Sequence, residues 1–538
     1  EAYEHLVDRL PDDWEAWNNL GNARSGLADH QGSIDALQRA LALNPESAPT
    51  RVNLARELVA LDRLDEAEAV LREAVARDQG DKPATIDLAA VLKRKGLEHE
   101  VVEVLAKAVA SDPDDAALQM NYGVEARAVR QFEIAENAFN RALSLEPANA
   151  LAFINLATML DHVNREGEIA ELISQATTAR ADTGVIDYLR ALDHRRAGRF
   201  REGLAALGDG LDVGDPSRVE FLRGQFHDRL GETDQAFAAF SQMNELLRAD
   251  PSRPEERATA FREAIRANRD LLTPEWMANW REEGEQRDPR PAPVFLIGFP
   301  RSGTTLLDTM LMSHPGIEVL EEEPTIREAH RVIPEFADLP GASDERIHQA
   351  RDAYFAMAAS LTELKPGNLL VDKNPMAMNS LPLIYRLFPD AKVILALRHP
   401  CDVVLSCFIT NFRLNGGMAN FVRLDTTAEL YDLSFSFVER AQQHIGMPMH
   451  RIVYEDLVAN PEANLRALMA FLGVDWQDSL LDHQSTARKR EHIKTASYAQ
   501  VVEPLYTRAA GRWERYRAHL EPVFPVLQPW IEKLGYTL

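Results

Sequence analysis

One short stretch of this sequence places hydroxyl and guanidinium side chains in a glycine-containing turn between two apolar segments. Val294–Ile297 is short enough for a buried strand, and the apolar residues between Leu306 and Leu311 recur at helical spacing. The turn between them, Gly298–Thr305, has the sequence GFPRSGTT. In a strand–turn–helix unit, the backbone N–H groups of the turn and the positive end of the helix converge on an anion. The stretch therefore predicts an anion-binding loop.

The turn has the spacing of a nucleotide-binding P-loop, with one change. Thr304 stands where that motif has a lysine, which serves the β- and γ-phosphates of a nucleoside triphosphate. A site without this lysine, but with Arg301 inside the loop, suits a shorter anion. The motif alone also fits an ordinary turn between a strand and a helix, because short motifs produce false positives.

Two further charged groups follow apolar runs in the second half. Lys373 ends the run in Asn368–Pro375, and a lysine at the carboxyl end of a strand points into the ligand crevice of an open α/β sheet. Three carboxylates, Glu321–Glu323, follow the strand-like stretch Ile317–Leu320. Their mutual repulsion favours a proton on one of them, which suits a general base. The alternative is a solvated acidic turn.

A third charged strand end lies at Arg398, after the apolar run Lys392–Leu397. Ser406 follows eight residues later in a helical segment. Arginine can bind a phosphate group bidentately, and a serine hydroxyl adds a further donor. A last strand, Arg451–Val453, is followed directly by Tyr454. This alternation of strands and helices predicts an α/β domain with a central parallel sheet over residues 291–538.

The first half of the chain repeats with a period of 34 residues. Prolines recur on this period at Pro11, Pro45, Pro113 and Pro147. Small residues follow the same period at Ala40, Ala74, Ala108 and Ala142. Such a pattern indicates helix pairs that pack closely at the small residues. It predicts an all-α solenoid of about seven units over residues 1–250, the first one truncated, and a helical linker over 251–290.

Both halves resemble known families. The first half resembles tetratricopeptide repeat (TPR) arrays, with WNNLGNA at 17–23 as a good example. The second half is similar to the sulfotransferases that use 3′-phosphoadenosine-5′-phosphosulfate (PAPS), whose 5′-phosphosulfate loop is much like PRSGTT at 300–305. Among these sulfotransferases, the second half most resembles the tyrosylprotein sulfotransferases and the TPR-linked bacterial members. The resemblance implies an all-α TPR solenoid followed by an α/β, P-loop-like sulfotransferase domain.

The resemblance also implies roles for single residues. The implied catalytic residues are Glu322 as the base, with Arg301 and Lys373 stabilising the sulfuryl oxygens and the leaving phosphate. The implied PAPS-binding residues are Arg301, Ser302, Gly303, Thr304 and Thr305 at the 5′ end, Arg398 and Ser406 at the 3′-phosphate, Tyr454 near the nucleotide, and Ser497 and Arg512 closing over it. Pro324 stands where the tyrosylprotein family has an arginine, which is a departure among the acceptor contacts.

Composition limits the classes of function. The net charge is −25, and such a chain is a poor general nucleic-acid binder because phosphate neutralisation supplies most of that affinity. Cys401 and Cys407 are the two cysteines, which favours a reducing compartment such as the cytoplasm. The resemblance to TPR-linked bacterial members implies a bacterial protein. Nothing near the cysteines completes a metal set, so they are interpreted as packing residues. No metal is expected, because a transferring SO₃ group carries less charge than a phosphoryl group. No apolar run reaches the length of a membrane span. Glu1 falls inside a helical pattern, so the sequence looks trimmed and a targeting signal before it stays open.

The predicted function is transfer of a sulfuryl group from PAPS to a hydroxyl acceptor, with PAP as the other product. The repeats favour a protein or peptide acceptor such as a tyrosine, while saccharides, lipids and small molecules stay open. One alternative is a P-loop kinase or NTPase, in which Glu455 or Asp456 would bind magnesium. Thr304 disfavours it. The other alternative is a TPR scaffold with an inactive sulfotransferase fold, which the complete set of candidate residues disfavours.

Overall fold

The computed structural model describes two compact units. It covers residues 1–78, 81–162, 165–208, 215–278, 280, 288–489 and 510–538. One unit comprises Glu1–Asp161 and Arg165–Arg190, and the other consists mainly of Ala191–Leu538. Within the described ranges, no helix combines the length and the apolar composition that crossing a membrane requires.

The first unit is built from α-helices in consecutive pairs. The first helices of successive pairs begin at Trp14, Ala48, Lys82, Ala116 and Ala150, a spacing of 34 residues that matches the sequence period. The helices are α1 (Ala2–Arg9), α2 (Trp14–Ser25), α3 (His30–Leu43), α4 (Ala48–Ala60), α5 (Leu64–Arg77), α6 (Lys82–Arg94), α7 (Glu98–Ser111), α8 (Ala116–Ala128), α9 (Phe132–Leu145), α10 (Ala150–His162), α11 (Ile169–Thr178) and α12 (Thr183–Arg196).

Small residues allow the helices of one pair to approach closely, as the sequence period predicts. A Cβ atom on Gly21 would lie 2.6 Å from Leu37 Cγ, and one on Gly123 would lie 2.6 Å from Phe139 Cε1. Ion pairs join neighbouring pairs, as between Lys93 Nζ and Glu125 Oε1 at 2.6 Å. Because Lys93 is exposed, such a pair contributes little stability, and the buried apolar residues hold the array together.

The second unit contains a five-stranded parallel sheet with helices around it. The strands are β1 (Val294–Gly298), β2 (Ile317–Glu321), β3 (Leu369–Lys373), β4 (Lys392–Leu397) and β5 (Met449–Val453). The helices are α13 (Phe200–Leu207), α14 (Pro216–Leu230), α15 (Thr233–Arg248), α16 (Pro254–Leu271), α17 (Pro274–Ala278), α18 (Thr304–Met312), α19 (Thr325–Val332), α20 (Asp344–Leu361), α21 (Leu381–Leu387), α22 (Pro400–Phe408), α23 (Leu424–Ile445), α24 (Tyr454–Ala459), α25 (Pro461–Leu472), α26 (His483–Lys489), α27 (Arg517–Leu520) and α28 (Phe524–Lys533).

The strand order is β2-β3-β1-β4-β5, with every neighbouring pair parallel. Alternate residues of β1 face opposite cores: Phe295 and Ile297 pack in one, and Val294 and Leu296 pack in the other. A strand covered on both faces must be apolar throughout, which is why β1 is a continuous apolar run. Since all strands run the same way, the residues that end β1 to β4 meet at one edge of the sheet.

The predicted domain boundary after residue 250 differs from the division of the structure, which falls near residue 190. Phe240 of α15, Ile265 of α16 and Leu272 are buried in the same apolar core as Phe295 of the sheet. Asn244 also donates a hydrogen bond of 2.9 Å from Nδ2 to the carbonyl oxygen of Phe408, at the end of α22. The segment predicted as a linker thus contributes apolar side chains to the core around the sheet, a contact between distant residues that sequence periodicity does not reveal.

Candidate active site

The anion-binding loop connects β1 to α18 and has an unusual backbone. Arg301 (φ +72°) and Gly303 (φ +92°) both adopt the left-handed conformation. For a non-glycine residue this conformation is strained, and such residues concentrate at functional sites. A Cβ atom on Gly303 would lie 2.5 Å from Cδ2 of Tyr454, so the glycine also lets Tyr454 pack against the loop.

The Ser302 side chain gives the loop a donor suited to an anion. Ser302 is 2% exposed, and within the described residues its Oγ has no hydrogen-bond partner. A buried hydroxyl without a partner loses its hydrogen bonds to water and regains nothing, unless a ligand supplies an acceptor. Together with Thr304 and Thr305 at the start of α18, this hydroxyl fits the oxygens of a phosphate group.

The predicted 3′-phosphate residues lie beside the loop. Arg301 Nε donates a hydrogen bond of 3.0 Å to Ser406 Oγ, and Arg398 donates from one terminal nitrogen to the carbonyl oxygen of Arg301 at 3.1 Å. The guanidinium of Arg398 lies over the ring of Tyr454, 4.9 Å from its centre. These contacts bring together four candidate residues from four segments: Arg301, Arg398, Ser406 and Tyr454.

Lys373 lies at the end of β3 inside a cluster of carboxylates. Its Nζ is 2.9 Å from Glu322 Oε1, 3.1 Å from Asp308 Oδ2 and 3.5 Å from Glu321 Oε1. Burial by itself lowers the pKa of Lys373, but the carboxylates of Glu322, Asp308 and Glu321 together outweigh burial and raise the pKa above its ordinary value. Lys373 is therefore a cation at neutral pH although its side chain is fully buried.

The three consecutive glutamates differ in position. The side chain of Glu322 is 34% exposed, whereas Glu321 and Glu323 are buried. Glu322 has a left-handed backbone (φ +55°), and its N–H donates a 2.7 Å hydrogen bond to the carbonyl oxygen of Lys373. Of the three, Glu322 combines contact with Lys373 and access from solvent, which a base acting on an entering hydroxyl needs.

The last predicted cofactor residues lie near the C-terminus. Ser497 falls outside the described residues, so its role stays a prediction. Arg512 lies in a segment held by Asp402, which accepts hydrogen bonds from the N–H groups of Gly511 (2.7 Å) and Trp513 (2.9 Å). The guanidinium of Arg512 is paired with Asp228 of α14 at 2.8 Å, a contact that the sequence did not predict. Its role at the 3′-phosphate likewise stays a prediction.

Several candidate residues have structural partners. His399 Nδ1 accepts the N–H of Cys401 at 3.2 Å, and Nε2 lies 3.2 Å from the carbonyl oxygen of Thr537, so both ring nitrogens are engaged. Glu455, considered above as a magnesium ligand, accepts the N–H of His399 and the hydroxyl of Tyr536. Cys401 and Cys407 are buried free thiols, and burial raises the pKa of each.

Sequence reasoning missed two acidic residues of the site. Asp308 lies in α18 between apolar residues, and its charge inside that apolar stretch is the signal that could have revealed it. Asp402 follows Arg398 by four residues, and one of its oxygens lies 3.8 Å from the guanidinium. Oppositely charged residues four positions apart are common, so the sequence alone does not distinguish Asp402 as a site residue from an ordinary surface ion pair.

The buried carboxyl group of Asp372, the neighbour of Lys373, should make the stability of the fold depend on pH. It is 1% exposed, and it accepts hydrogen bonds from Thr325 Oγ1 (2.5 Å) and the Tyr354 hydroxyl (3.0 Å). Burial raises its pKa from 3.8 to about 6. Between those values the folded chain keeps a proton that the unfolded chain has lost, so stability falls as pH rises through this range. At roughly 1.4 kcal/mol per pH unit, the loss is about 3 kcal/mol.

Asp372→Asn should remove this dependence. The free energy of unfolding of the variant, relative to the wild type, should increase by about 2 kcal/mol between pH 4 and pH 7. Urea unfolding at several pH values measures it. Asp352→Asn, at a side chain 70% exposed, is the control and should show no such trend. A parallel pH dependence in the wild type and Asp372→Asn would contradict the prediction.

Comparison with known families agrees with the predicted fold class. The model of the sulfotransferase family matches residues 293–478, and tetratricopeptide repeat models match residues 26–92, 1–48 and 188–254. The chain thus matches tetratricopeptide repeat models in its first half and the sulfotransferase family model in part of its second half. The predicted resemblance and the predicted fold class are confirmed.

Individual proteins are also similar to this chain. A protein of Aquifex aeolicus described as uncharacterized is 26% identical over 563 residues, covering 93% of this chain and 72% of that protein. Protein-tyrosine sulfotransferase 1 of Danio rerio is 28% identical over 268 residues, covering 45% of this chain and 72% of that protein. Among solved structures, the sulfotransferase domain from the curacin biosynthetic pathway aligns with 47% of this chain and 100% of its own, at 19% identity and a TM-score of 0.33. The family match and the tyrosine sulfotransferase relatives support a sulfotransferase activity.

Proposed function

We propose that this protein transfers a sulfuryl group from PAPS to a hydroxyl group of a polypeptide, with a tyrosine as the favoured acceptor. The observation that carries the proposal is the arrangement at the carboxyl edge of the sheet. There the strained loop with the buried Ser302 hydroxyl lies beside Arg398. Lys373 at the end of β3 is paired with Glu322, which directly follows β2. Binding groups for an anion and a base with a cation are what sulfuryl transfer requires.

The donor is expected to bind along this edge. Ser302, Gly303, Thr304 and Thr305 would hold its 5′-phosphate, because the loop and the start of α18 present N–H and hydroxyl donors. Arg398 and Ser406 would hold its 3′-phosphate, the group that distinguishes PAPS from ordinary adenylates. Tyr454, Ser497 and Arg512 would complete the nucleotide site.

In the proposed reaction, an oxygen lone pair of the acceptor hydroxyl forms a bond to sulfur. The bond between sulfur and the 5′-phosphate oxygen breaks, and its electron pair stays on the phosphate of PAP. Glu322 takes the proton of the hydroxyl, while Arg301 and Lys373 stabilise charge on the sulfuryl oxygens and the leaving phosphate. The products are the sulfate ester, PAP and the protonated carboxyl group of Glu322.

Two observations support a polypeptide acceptor. Relatives that align with 45% of the chain are named protein-tyrosine sulfotransferases, and the first half matches repeats that serve protein interaction in many proteins. The repeats would recruit the acceptor, and the exposed Glu322 would receive its hydroxyl.

The test uses the full chain, PAPS labelled with ³⁵S and peptides with or without tyrosine. Labelled peptide should form with the wild type, and transfer should fall with Arg301→Ala, Lys373→Ala and Glu322→Ala. Titration calorimetry with PAP and with ATP–Mg separates this function from the kinase alternative, since PAP should bind tightly and ATP–Mg should not. Unchanged transfer by all three variants would overturn the proposed roles, and PAP binding without transfer to any acceptor would favour the scaffold alternative.

A further inference from the structure

Three carboxylates surround Lys373, but the proposed reaction gives a role to Glu322 alone. The other close partner is Asp308, whose Oδ2 lies 3.1 Å from the Lys373 Nζ. Asp308 belongs to α18, the helix that begins in the anion-binding loop, whereas Lys373 ends β3. The ion pair therefore connects the loop helix to the strand that carries the proposed catalytic cation.

The partners of Lys373 differ sharply in burial. The side chains of Asp308 and Lys373 are 0% exposed, while that of Glu322 is 34% exposed. The hydroxyl of Thr309 lies 3.2 Å from Asp308 Oδ1, although its shorter hydrogen bond, of 2.8 Å, goes to the carbonyl oxygen of Thr305. Asp308 is thus the fixed, solvent-excluded partner, and Glu322 is the partner that a substrate can reach.

This difference resolves a conflict between two demands on Glu322. The Glu322 oxygen that accepts the hydrogen bond of Lys373 is occupied, so Glu322 must release the ammonium group before that oxygen can take the proton of the acceptor. A buried ammonium left without a counter-charge is strongly unfavourable. Asp308 removes this difficulty because it keeps a negative charge beside Lys373 when Glu322 turns to the acceptor. Glu321, 3.5 Å away, supports it.

We propose that Asp308 is a positioning residue that holds Lys373 in place while Glu322 exchanges the ammonium group for the acceptor hydroxyl. The proposal rests on the sulfotransferase function proposed above and extends it to a residue outside the predicted site. The step it assists is the transfer of one proton from the hydroxyl oxygen to a carboxylate oxygen of Glu322. Lys373 keeps all its protons.

The first test is Asp308→Asn, which keeps the shape of the side chain and removes its charge. The kcat for transfer from PAPS should fall by about 10- to 100-fold, because Glu322 then has to remain the partner of Lys373. The dissociation constant for PAP should stay within about threefold, since Lys373 keeps Glu322 as its partner and the proposed phosphate-binding residues are unchanged. Asp372→Asn is the matched control: it also alters a buried aspartate of this region, next to Lys373, and should change kcat by less than about threefold.

The second test combines Asp308→Asn with Lys373→Met. If Asp308 acts through Lys373, adding Asp308→Asn to Lys373→Met should lower residual transfer no further, and the double variant should melt at a higher temperature than Lys373→Met alone. A purely structural role predicts additive losses in both measurements. If Asp308→Asn does not fold, the double variant should still fold, because the buried Lys373–Asp308 pair is removed as a unit.

The outcomes separate the two proposals. If the wild type is active, three results would each overturn the role of Asp308 alone. These are an unchanged kcat in Asp308→Asn, additive losses when Asp308→Asn and Lys373→Met are combined, and a double variant that does not fold. A wild type that transfers no sulfate from PAPS would overturn the proposed function and the role of Asp308 with it. Loss of kcat with retained PAP affinity and a non-additive cycle supports both.

Discussion

Glu322→Gln should lower the kcat for sulfate transfer by about 10²- to 10⁴-fold, the range that a positioned general base contributes. Glutamine keeps the size of the side chain but accepts no proton at neutral pH. The Glu322 carboxylate lies 2.9 Å from the Lys373 Nζ and is 34% exposed, so its loss removes the proposed base and leaves the nucleotide-binding loop intact. Labelled-sulfate kinetics measure the effect, and the affinity for PAP should stay within about threefold.

Glu323→Gln is the matched control for this prediction. It changes the next residue in the same acidic run, but Glu323 is buried and is not among the residues that contact Lys373 in the described part of the chain. Its kcat should change by less than about fivefold. A larger loss for Glu323→Gln than for Glu322→Gln would move the base to the neighbouring position.

Arg398→Ala should weaken PAP binding by about 10²-fold, because the 3′-phosphate loses a charge-assisted pair of hydrogen bonds worth roughly 1.5–3 kcal/mol. The affinity for adenosine 5′-phosphate, which lacks that phosphate, should stay nearly constant. The variant should therefore lose the preference for PAP over adenosine 5′-phosphate. Titration calorimetry with both nucleotides measures the preference directly.

The nucleotide comparison also excludes an indirect effect. Arg398 donates a hydrogen bond to the carbonyl oxygen of Arg301, so its removal can disturb the loop. A disturbed loop would weaken both nucleotides equally, and that result would reject Arg398 as the 3′-phosphate ligand. Arg466→Ala, at an exposed arginine of α25 paired with Glu462, removes the same charge elsewhere and should leave both affinities unchanged.

Local sequence patterns predicted the features of this protein that depend on residues close together along the chain. The apolar run of β1, the glycine at position 303 and the apolar residues of α18 each follow from hydrophobic periodicity and backbone conformation. Lys373 and Arg398 were placed correctly at strand ends because parallel strands finish at one edge of the sheet. The 34-residue period similarly predicted where the helix pairs begin.

Contacts between distant residues could not be predicted in this way. Asp228 and Arg512 are separated by 284 positions along the chain, and neither belongs to a motif that would indicate the other. Asp308 looks like an isolated polar residue in a helix until β3 brings Lys373 beside it. The packing of α15 and α16 against the core around the sheet depends on Phe240 and Ile265, which in the sequence are ordinary apolar positions of helices.

The packing of α15 and α16 limits how this chain can be shortened. A recombinant fragment that starts at residue 291 would lose Phe240, Ile265 and Leu272 from the core, and the carbonyl oxygen of Phe408 would lose the amide of Asn244. Its newly uncovered apolar face would promote aggregation. A fragment for crystallography or enzymology should therefore keep α13 to α16 and begin before α12, near residue 182, because the two compact units divide inside that helix.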